Sequence, residues 1–443
     1  MKRARPFRLL LSLFLVGLLL SVSACGSSSG VTADQNKGDK DNGTKVTLVF
    51  QNIYPDASAT NHKVMKKIVS DYMDAHPNVK IELDSLNIDQ QKTKLKTQAA
   101  SNQLPDIFVV NPSAQMKPYV DAGLLAPLND MLEQNNLKQT FQPGILDYYT
   151  FGGNVYALPD GNNIGVMYYN KKIFDEVGVK PPKDFNELLD VVKKVKNAGY
   201  IPVVIAEKET WTGSFLFMNI VLRTNGGPGF LQDVLDGKKT FEDPAFIEAV
   251  DKFEQLVETG AFQDGATSYE YVEAESLFHS GQAAMYYMGT WATGGMETAT
   301  IKDQVGVFPF PLVDGKGSLN HFMLAPGSAF AISANSKHLA EAKDFLNYFM
   351  LQWPKINFDM KAAVGLAQNV DGDFQKAGYS QISIDVLDLF KTVQGGDLAF
   401  DNTMEPDTAQ VHLKAIQKLF IQKEPPEVIA KEHQDAFNRN YRK

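Results

Sequence analysis

The 443-residue chain carries 43 Lys and Arg against 52 Asp and Glu, a formal charge of −9, with 44% hydrophobic residues and one cysteine. An acidic body of this kind is unsuited to nucleic acid or to direct adhesion on anionic lipid, and one cysteine leaves no internal disulfide, so packing alone must hold the fold. The length and apolar content suffice for two domains with proper cores.

The first 24 residues have the three parts of an export signal: Lys2, Arg3, Arg5 and Arg8, then the apolar run Leu9 to Leu20, then Val22-Ser23-Ala24. That run is shorter than the roughly 20 residues a spanning helix needs. Val22-Ser23-Ala24-Cys25 resembles the bacterial lipobox, so residues 1–24 are read as a lipoprotein signal peptide and Cys25 as the lipidation site. Cleavage there removes four basic residues and takes the formal charge from −9 to −13. Residues 25–44 are too poor in apolar side chains to offset the entropy of ordering them and read as a flexible tether. The expected location is therefore outside the cytoplasm, lipid-anchored to the outer face of the cell membrane. Asp39, Asp41 and Gly43, and later Asn369, Asp371, Gly372 and Asp373, echo a calcium loop without its Glu at the twelfth position. No metal site and no cofactor is expected.

From Lys45 the pattern alternates strand and helix. "KVTLVF" places Val46, Leu48 and Phe50 on one face, and "NHKVMKKIVSDYMDAHP" places Val64, Ile68 and Tyr72 at helical spacing before Pro77. "VKIELDSL" is a second strand, "QQKTKLKTQAASNQ" a second helix, and "DIFVVN" a strand apolar throughout. Such an unbroken run suits a central strand covered on both faces, as in a parallel α/β sheet. Ligands of such sheets gather at the carboxyl ends of the strands, here near Asn52, Tyr54 and Asn111.

"IGVMYYN" is a further apolar strand, and "PPKDFNELLDVVKKVKNAG" a helix opened by Asp184, with Glu187 at capping-box spacing, and closed by Gly199. "IPVVIAE" follows as a strand with Trp211 just beyond it, and "DPAFIEAVDKFEQLVETGAF" is helix-rich. In "FHSGQAAMYYMGTWATGG", a strand runs into Trp291 and then into glycines; Met285, Tyr286 and Met288 read as core. "VGVFPFPLVDG" and "APGSAFAISANS" return to strand character, and "KHLAEAKDFLNYFMLQ" is a helix followed by Trp353.

The ordered landmarks "LPDIFVVNPSAQMKPYVDAGLLAPLND", "YALPDGNNIGVMYYNKKIFDEVGVKPPKDFNELL", "FHSGQAAMYYMGTWA" and "APGSAFAISANSKHLAEAKDFLNYFM" resemble those of bacterial extracellular solute-binding proteins of the maltose-binding-protein-like family, the substrate receptors of ABC importers. The resemblance spans essentially the whole mature chain. It implies an α/β fold of two lobes, each a mostly parallel sheet flanked by helices, joined by crossing strands, with a sugar or oligosaccharide held in the cleft between them. Mapped here, one lobe takes residues 45–160 and 305–353, the other 161–304 and 354–443. The implied partners are a carbohydrate and the membrane permease subunits; nucleic acid is not among them, and a monomer is expected.

Within that frame Trp291 matches the family's sugar-stacking position: a pyranose packs its C–H face on an aromatic ring, and indole offers the widest platform with one N–H on its rim. Trp211 is a candidate second wall, and Trp353 a hinge-packing residue. Polar anchors are expected from strand ends on both lobes: Asn52, Tyr54, Asn111, Asp160, Asn162 and Asn163, with Asp401 from the loop "AFDNTMEP". For each of these a turn or cap role is the alternative. Asn163 falls where the family often carries a ligand-binding carboxylate; an amide both donates to and accepts from hydroxyls.

Two rivals remain. A receptor for peptides or polyamines would call for a converging charged cluster, whereas the candidates are mainly amides and aromatics. A glycoside-acting enzyme would need paired carboxylates such as Glu273 and Glu275, but two residues apart on a helix they point to different faces. No HExxH or phosphate-loop pattern is present, and the Gly-x-Ser-x-Gly string at Gly26 to Gly30 falls in the stretch read as a tether, not between a strand and a helix as a nucleophile elbow requires.

Overall fold

The computed structural model describes residues 45–441; the expected signal peptide, Cys25, tether and first calcium-loop echo lie outside them. Two mixed sheets organise the body. The first is built from β1 (Val46–Asn52), β2 (Val79–Ser85), β3 (Ile107–Val110), β6 (Ala157–Pro159) and β12 (Ala329–Ile332), in the order β2-β1-β3-β12-β6. A small hairpin, β4 (Thr150–Phe151) with β5 (Asn154–Val155), stands beside it. The second sheet is built from β7 (Asn163–Asn170), β8 (Ile201–Val204), β9 (Ala283–Gly289), β10 (Val305–Phe308), β11 (His321–Ala325) and β13 (Gly395–Leu398), in the order β13-β11-β7-β9-β8, with β10 also on β7.

The local patterns read from the sequence appear as expected. Leu48 and Phe50 are fully buried, and the helix Thr60–Ala75 turns Val64, Ile68 and Tyr72 inward. β3 is buried at all four positions because it is central, between β1 and β12. Met285, Tyr286 and Met288 are core. Asp184 caps the helix Phe185–Asn197 by accepting from the Asn186 N–H, while Glu187 reaches back one residue further than a standard box, to the Lys183 N–H.

Three expectations change. The sheets are mixed, not mostly parallel: β12 runs antiparallel to β3 and β6, and β7 antiparallel to β9, β10 and β11. Strand direction depends on where the connections travel, which side-chain alternation does not encode. The expected first lobe, residues 45–160 and 305–353, includes β10 and β11, yet both hydrogen-bond to β7 in the second sheet. The chain returns to the first sheet only through Pro326–Ser328, just before β12. Finally, the helix expected to end before Trp353 runs from Leu339 to Asp359 with Pro354 inside it. A proline cannot donate to the carbonyl four residues back; here Gln368 Nε2 supplies the missing donor to Met350 O at 2.9 Å.

Among the described residues no helix is long and apolar enough to cross a membrane, and no group of three or more His, Cys, Asp or Glu is placed to hold a metal ion. In the second calcium-loop echo, Asp373 is held by the backbone N–H and ammonium of Lys376.

Candidate functional site

A cleft of about 590 Å³ opens where the ends of the two sheets meet. Its closed end is made by three chain passages lying backbone to backbone. Asp160–Asn162 links β6 to β7, Pro326–Ser328 links β11 to β12, and Gly365 and Leu366 lie alongside the first of these. Asp160 N donates to Ser328 O at 2.9 Å and Asn162 N to Gly365 O at 2.7 Å. Glycine is needed at Gly327, whose φ is +85° and where a Cβ would lie 2.6 Å from Asp160 Oδ1 and 2.7 Å from Gly161 O.

Tyr54, two residues past β1, donates its hydroxyl to Asp160 Oδ2 at 2.6 Å and stacks near the Trp353 ring, 25° from parallel. Trp353 in turn donates Nε1–H to Asp160 O at 3.2 Å, so it packs at the crossing as expected of a hinge residue. Desolvation among these rings pushes the Asp160 carboxyl up to about 7, with the Tyr54 hydroxyl pulling in the opposite direction.

The second sheet supplies an aromatic wall. Trp291 stands just past β9, 37% exposed, with its ring laid back over Gly289, where a Cβ would collide with the indole. Trp211 begins the helix Trp211–Thr224 and Tyr271 begins the helix Tyr271–His279. Trp211 lies 6.1 Å from Tyr271, near parallel, and 6.1 Å from Trp291 at 53°. Phe215 backs Trp291 at 5.8 Å. The wall is pinned by its own polar edges. Trp291 Nε1–H donates to Tyr271 Oη (3.2 Å), Trp211 Nε1–H to Glu209 Oε2 (3.3 Å), and Tyr271 N–H to Glu209 Oε1 (3.1 Å). Both indole N–H groups are thus spent on the protein, leaving the ring faces for contact.

Of the residues singled out in the sequence, Tyr54, Asn111, Asp160, Asn163, Trp211, Trp291 and Asp401 line the cleft. Asn52 does not. Fully buried, it donates to Ser85 Oγ and accepts from the Tyr54 N–H, so it sets the turn that presents Tyr54. Asn162 is likewise turned away, its amide on Gln142 Oε1 at 2.7 Å. Asn163 is 4% exposed and accepts from Thr290 Oγ1, its amide wedged where a Cβ on Gly161 or Gly365 would strike it. Asp401 shares Gln115 Nε2 with Asn402, each at 2.7 Å, tying the helix Phe400–Thr403 to the loop after β3.

Sequence reasoning missed Glu209, Tyr271 and His279, and set Glu275 aside. The spacing of Tyr271, Glu275 and His279 at i, i+4, i+8 was the available signal, but it does not say which helix face meets a cleft. Glu273 takes the other face and closes a capping box on the Glu270 N–H, so it does not pair with Glu275 in the cleft. Burial pushes the Glu275 carboxyl up to about 7 and holds the His279 imidazole down to about 4.

The family profile described as bacterial extracellular solute-binding protein matches residues 56–351. Among characterised proteins, the multiple sugar-binding protein of Streptococcus mutans is 28% identical over 345 residues, covering 75% of this chain and 76% of its own. The maltotriose-binding protein of Pyrococcus abyssi is 27% identical over 278 residues, 62% of this chain and 56% of that one. A solved structure from work on xylan utilization by the thermophilic bacterium Caldanaerobius polysaccharolyticus is 30% identical with a TM-score of 0.82, covering 88% of this chain and 99% of that chain.

Proposed function

Because the chain belongs to the bacterial extracellular solute-binding protein family, we propose that it is the capture subunit of an ABC importer, closing two lobes on a sugar or oligosaccharide and delivering it to permease subunits. The observation that carries this reading is the wall of Trp211, Tyr271 and Trp291, fixed by hydrogen bonds at its edges and open at its faces. Opposite it stand Tyr54, Asn111 and Asp160, groups that exchange hydrogen bonds with hydroxyls. A ligand touching both sides favours the closed state by its differential contacts. Relatives named for multiple sugars and maltotriose support the same reading.

Trp291 and Trp211 are the stacking residues in this reading, with Tyr54, Asn111, Asp160, Asn163 and Asp401 as the polar set; Asn52 and Asn162 act through the turns they hold. The protein works as a monomer, tethered by lipid on Cys25, and binds without turnover.

The test is a thermal-shift screen of the mature chain against mono- and oligosaccharides, followed by calorimetry and a search for new reducing ends. A native-state ligand raises the melting temperature. The expected result is a stabilising sugar bound stoichiometrically without products, and Trp291→Ala weakening it by at least the ~0.5–1.5 kcal/mol of an aromatic contact. A panel that leaves the melting temperature unmoved, or a polyamine or peptide that raises it instead, overturns the reading.

A further inference from the structure

Behind the aromatic wall lies a buried polar chain that the cleft does not use. Ser214 Oγ, three residues after Trp211 on the same helix, is 2.8 Å from His412 Nε2; His412 Nδ1 is 2.8 Å from His433 Nε2; and His433 Nδ1 is 2.7 Å from Ile429 O. His412 and His433 stand on the helices Pro406–Leu419 and Pro426–Asn440, so the chain joins three helices. All three side chains are buried, which puts the Ser214 hydroxyl out of reach of any substrate.

One order of donors satisfies every link. The Ile429 carbonyl only accepts, so His433 carries its proton on Nδ1 and accepts at Nε2. His412 then donates from Nδ1 and accepts at Nε2 from the Ser214 hydroxyl. Both imidazoles are neutral in this order. A second proton on His433 would set two N–H groups against each other at 2.8 Å. On His412 it would turn Ser214 from donor to acceptor and place a charge against Phe400, stacked on the imidazole at 3.8 Å and 5°.

The acids on the surrounding elements are committed elsewhere: Glu207 to Gly213 and Thr212, Glu254 to the Glu424 N–H, Asp401 to Gln115, Glu405 to Thr408, Glu432 to Lys418 and Asp435 to Lys431. Of the cations, Arg223 donates to the Phe310 and Pro311 carbonyls, while Lys418 bears on His433 and opposes a further proton. Burial, with the neighbouring imidazole adding to it, holds His412 well below its ordinary range, and burial holds His433 down to about 4.

Two parts of the cleft hang on this chain. Ser214 shares its helix with Trp211, and Phe400 begins the short helix whose Asp401 and Asn402 take Gln115 Nε2 from across the cleft. We infer that Ser214, His412 and His433 form an acid-sensitive joint, which seats the Trp211 helix and the Phe400–Thr403 segment while both imidazoles are neutral and which, opened by acid, speeds release of the ligand. The release arm rests on the sugar-binding reading; the joint itself does not.

Histidines of the unfolded or locally opened chain take protons near 6.5, and the seated pair refuses them until far lower. The joint's contribution is therefore whole above about 6.5 and lost as pH falls toward about 4. Asp160 and Glu275 change in the opposite direction over part of this range, so the parent is compared with a variant that keeps both.

The test begins on the mature chain without ligand. Proton–nitrogen NMR of the imidazoles should show His412 and His433 as neutral Nδ1–H tautomers at pH 7, still unprotonated at pH 5.5. His433→Gln keeps an acceptor for the His412 Nδ1–H and removes one titration. In denaturant titrations its folding constant relative to the parent's should rise roughly twentyfold between pH 6 and pH 4.5, as a site moved from about 6.5 to about 4 requires. Over the same interval, stopped-flow should find that dissociation of a sugar taken from the thermal-shift screen quickens more in the parent than in His433→Gln. Either ring titrating near 6.5 in the folded protein, or an Nε2–H tautomer, overturns the joint, and the parent's spectrum decides this without any variant. A folding ratio flat with pH also overturns it. If the ratio moves while dissociation stays parallel in the two proteins, the release arm falls. A panel in which no sugar binds overturns the sugar reading and not the joint.

Discussion

Gly289→Ala tests the platform without touching its chemistry. Gly289 has φ −73° and ψ 158°, which any residue adopts, so the added methyl creates no backbone strain. The nearest obstacle is the Trp291 indole, which occupies the space where the Cβ must go. The ring has to swing off its seat, losing its contact with Phe215 and its hydrogen bond to Tyr271. With Trp291 37% exposed and a full aromatic burial of about 150–250 Å², roughly 80 Å² of ring is free to be covered, worth about 2 kcal/mol at ~25 cal/mol/Å². Losing most of this, together with the stacking contribution, should weaken sugar binding roughly 10- to 100-fold at about 1.4 kcal/mol per factor of ten. Calorimetry gives the affinity, and near-UV circular dichroism reports whether the indole has moved. If the spectrum shows a displaced indole while affinity stays within about twofold, well below that expected loss, Trp291 carries no ligand and the stacking argument fails.

Three further outcomes are expected. The Asp160 carboxyl is raised to about 7 by desolvation, so the folded protein holds a proton there that the unfolded chain releases near pH 4. That favourable contribution is present in acid and lost as pH rises through about 7. The melting temperature of Asp160→Asn minus that of the parent should therefore climb between pH 5 and pH 8, and a flat difference would refute the assignment. Gly327→Ala forces a Cβ against Asp160 and Gly161 at a left-handed position and should cost at least about 2 kcal/mol in denaturant titration; an unchanged midpoint would show that the crossings are not close-packed. Gln115→Ala removes the amide that joins the loop after β3 to Asp401 and Asn402 across the cleft. Stopped-flow should find sugar dissociation faster by roughly tenfold, the scale of two hydrogen bonds, with association little changed; a slower association at constant dissociation would mean that this contact shapes the open form.

The sequence by itself determined the elements whose signal is local. The inward face of β1, the helix carrying Val64, Ile68 and Tyr72, and the all-apolar β3 follow from period and run length, because those depend only on neighbouring residues. Trp291 and Trp211 were legible too, as bulky rings placed just past buried strands. Tertiary structure alone decided the rest. Whether β10 and β11 join the first or the second sheet turns on pairing partners far along the chain. Asn52 ends β1 and Tyr54 follows two residues later, yet only Tyr54 reaches the cleft, because Asn52 is consumed in holding the turn that delivers it. Glu275 was visible as one of an acidic pair, and Tyr271 and His279 share its helix at i, i+4, i+8, but which face of that helix meets the cleft is set by packing against distant segments. A cleft is a relation between distant surfaces, and local periodicity carries no information about that distance.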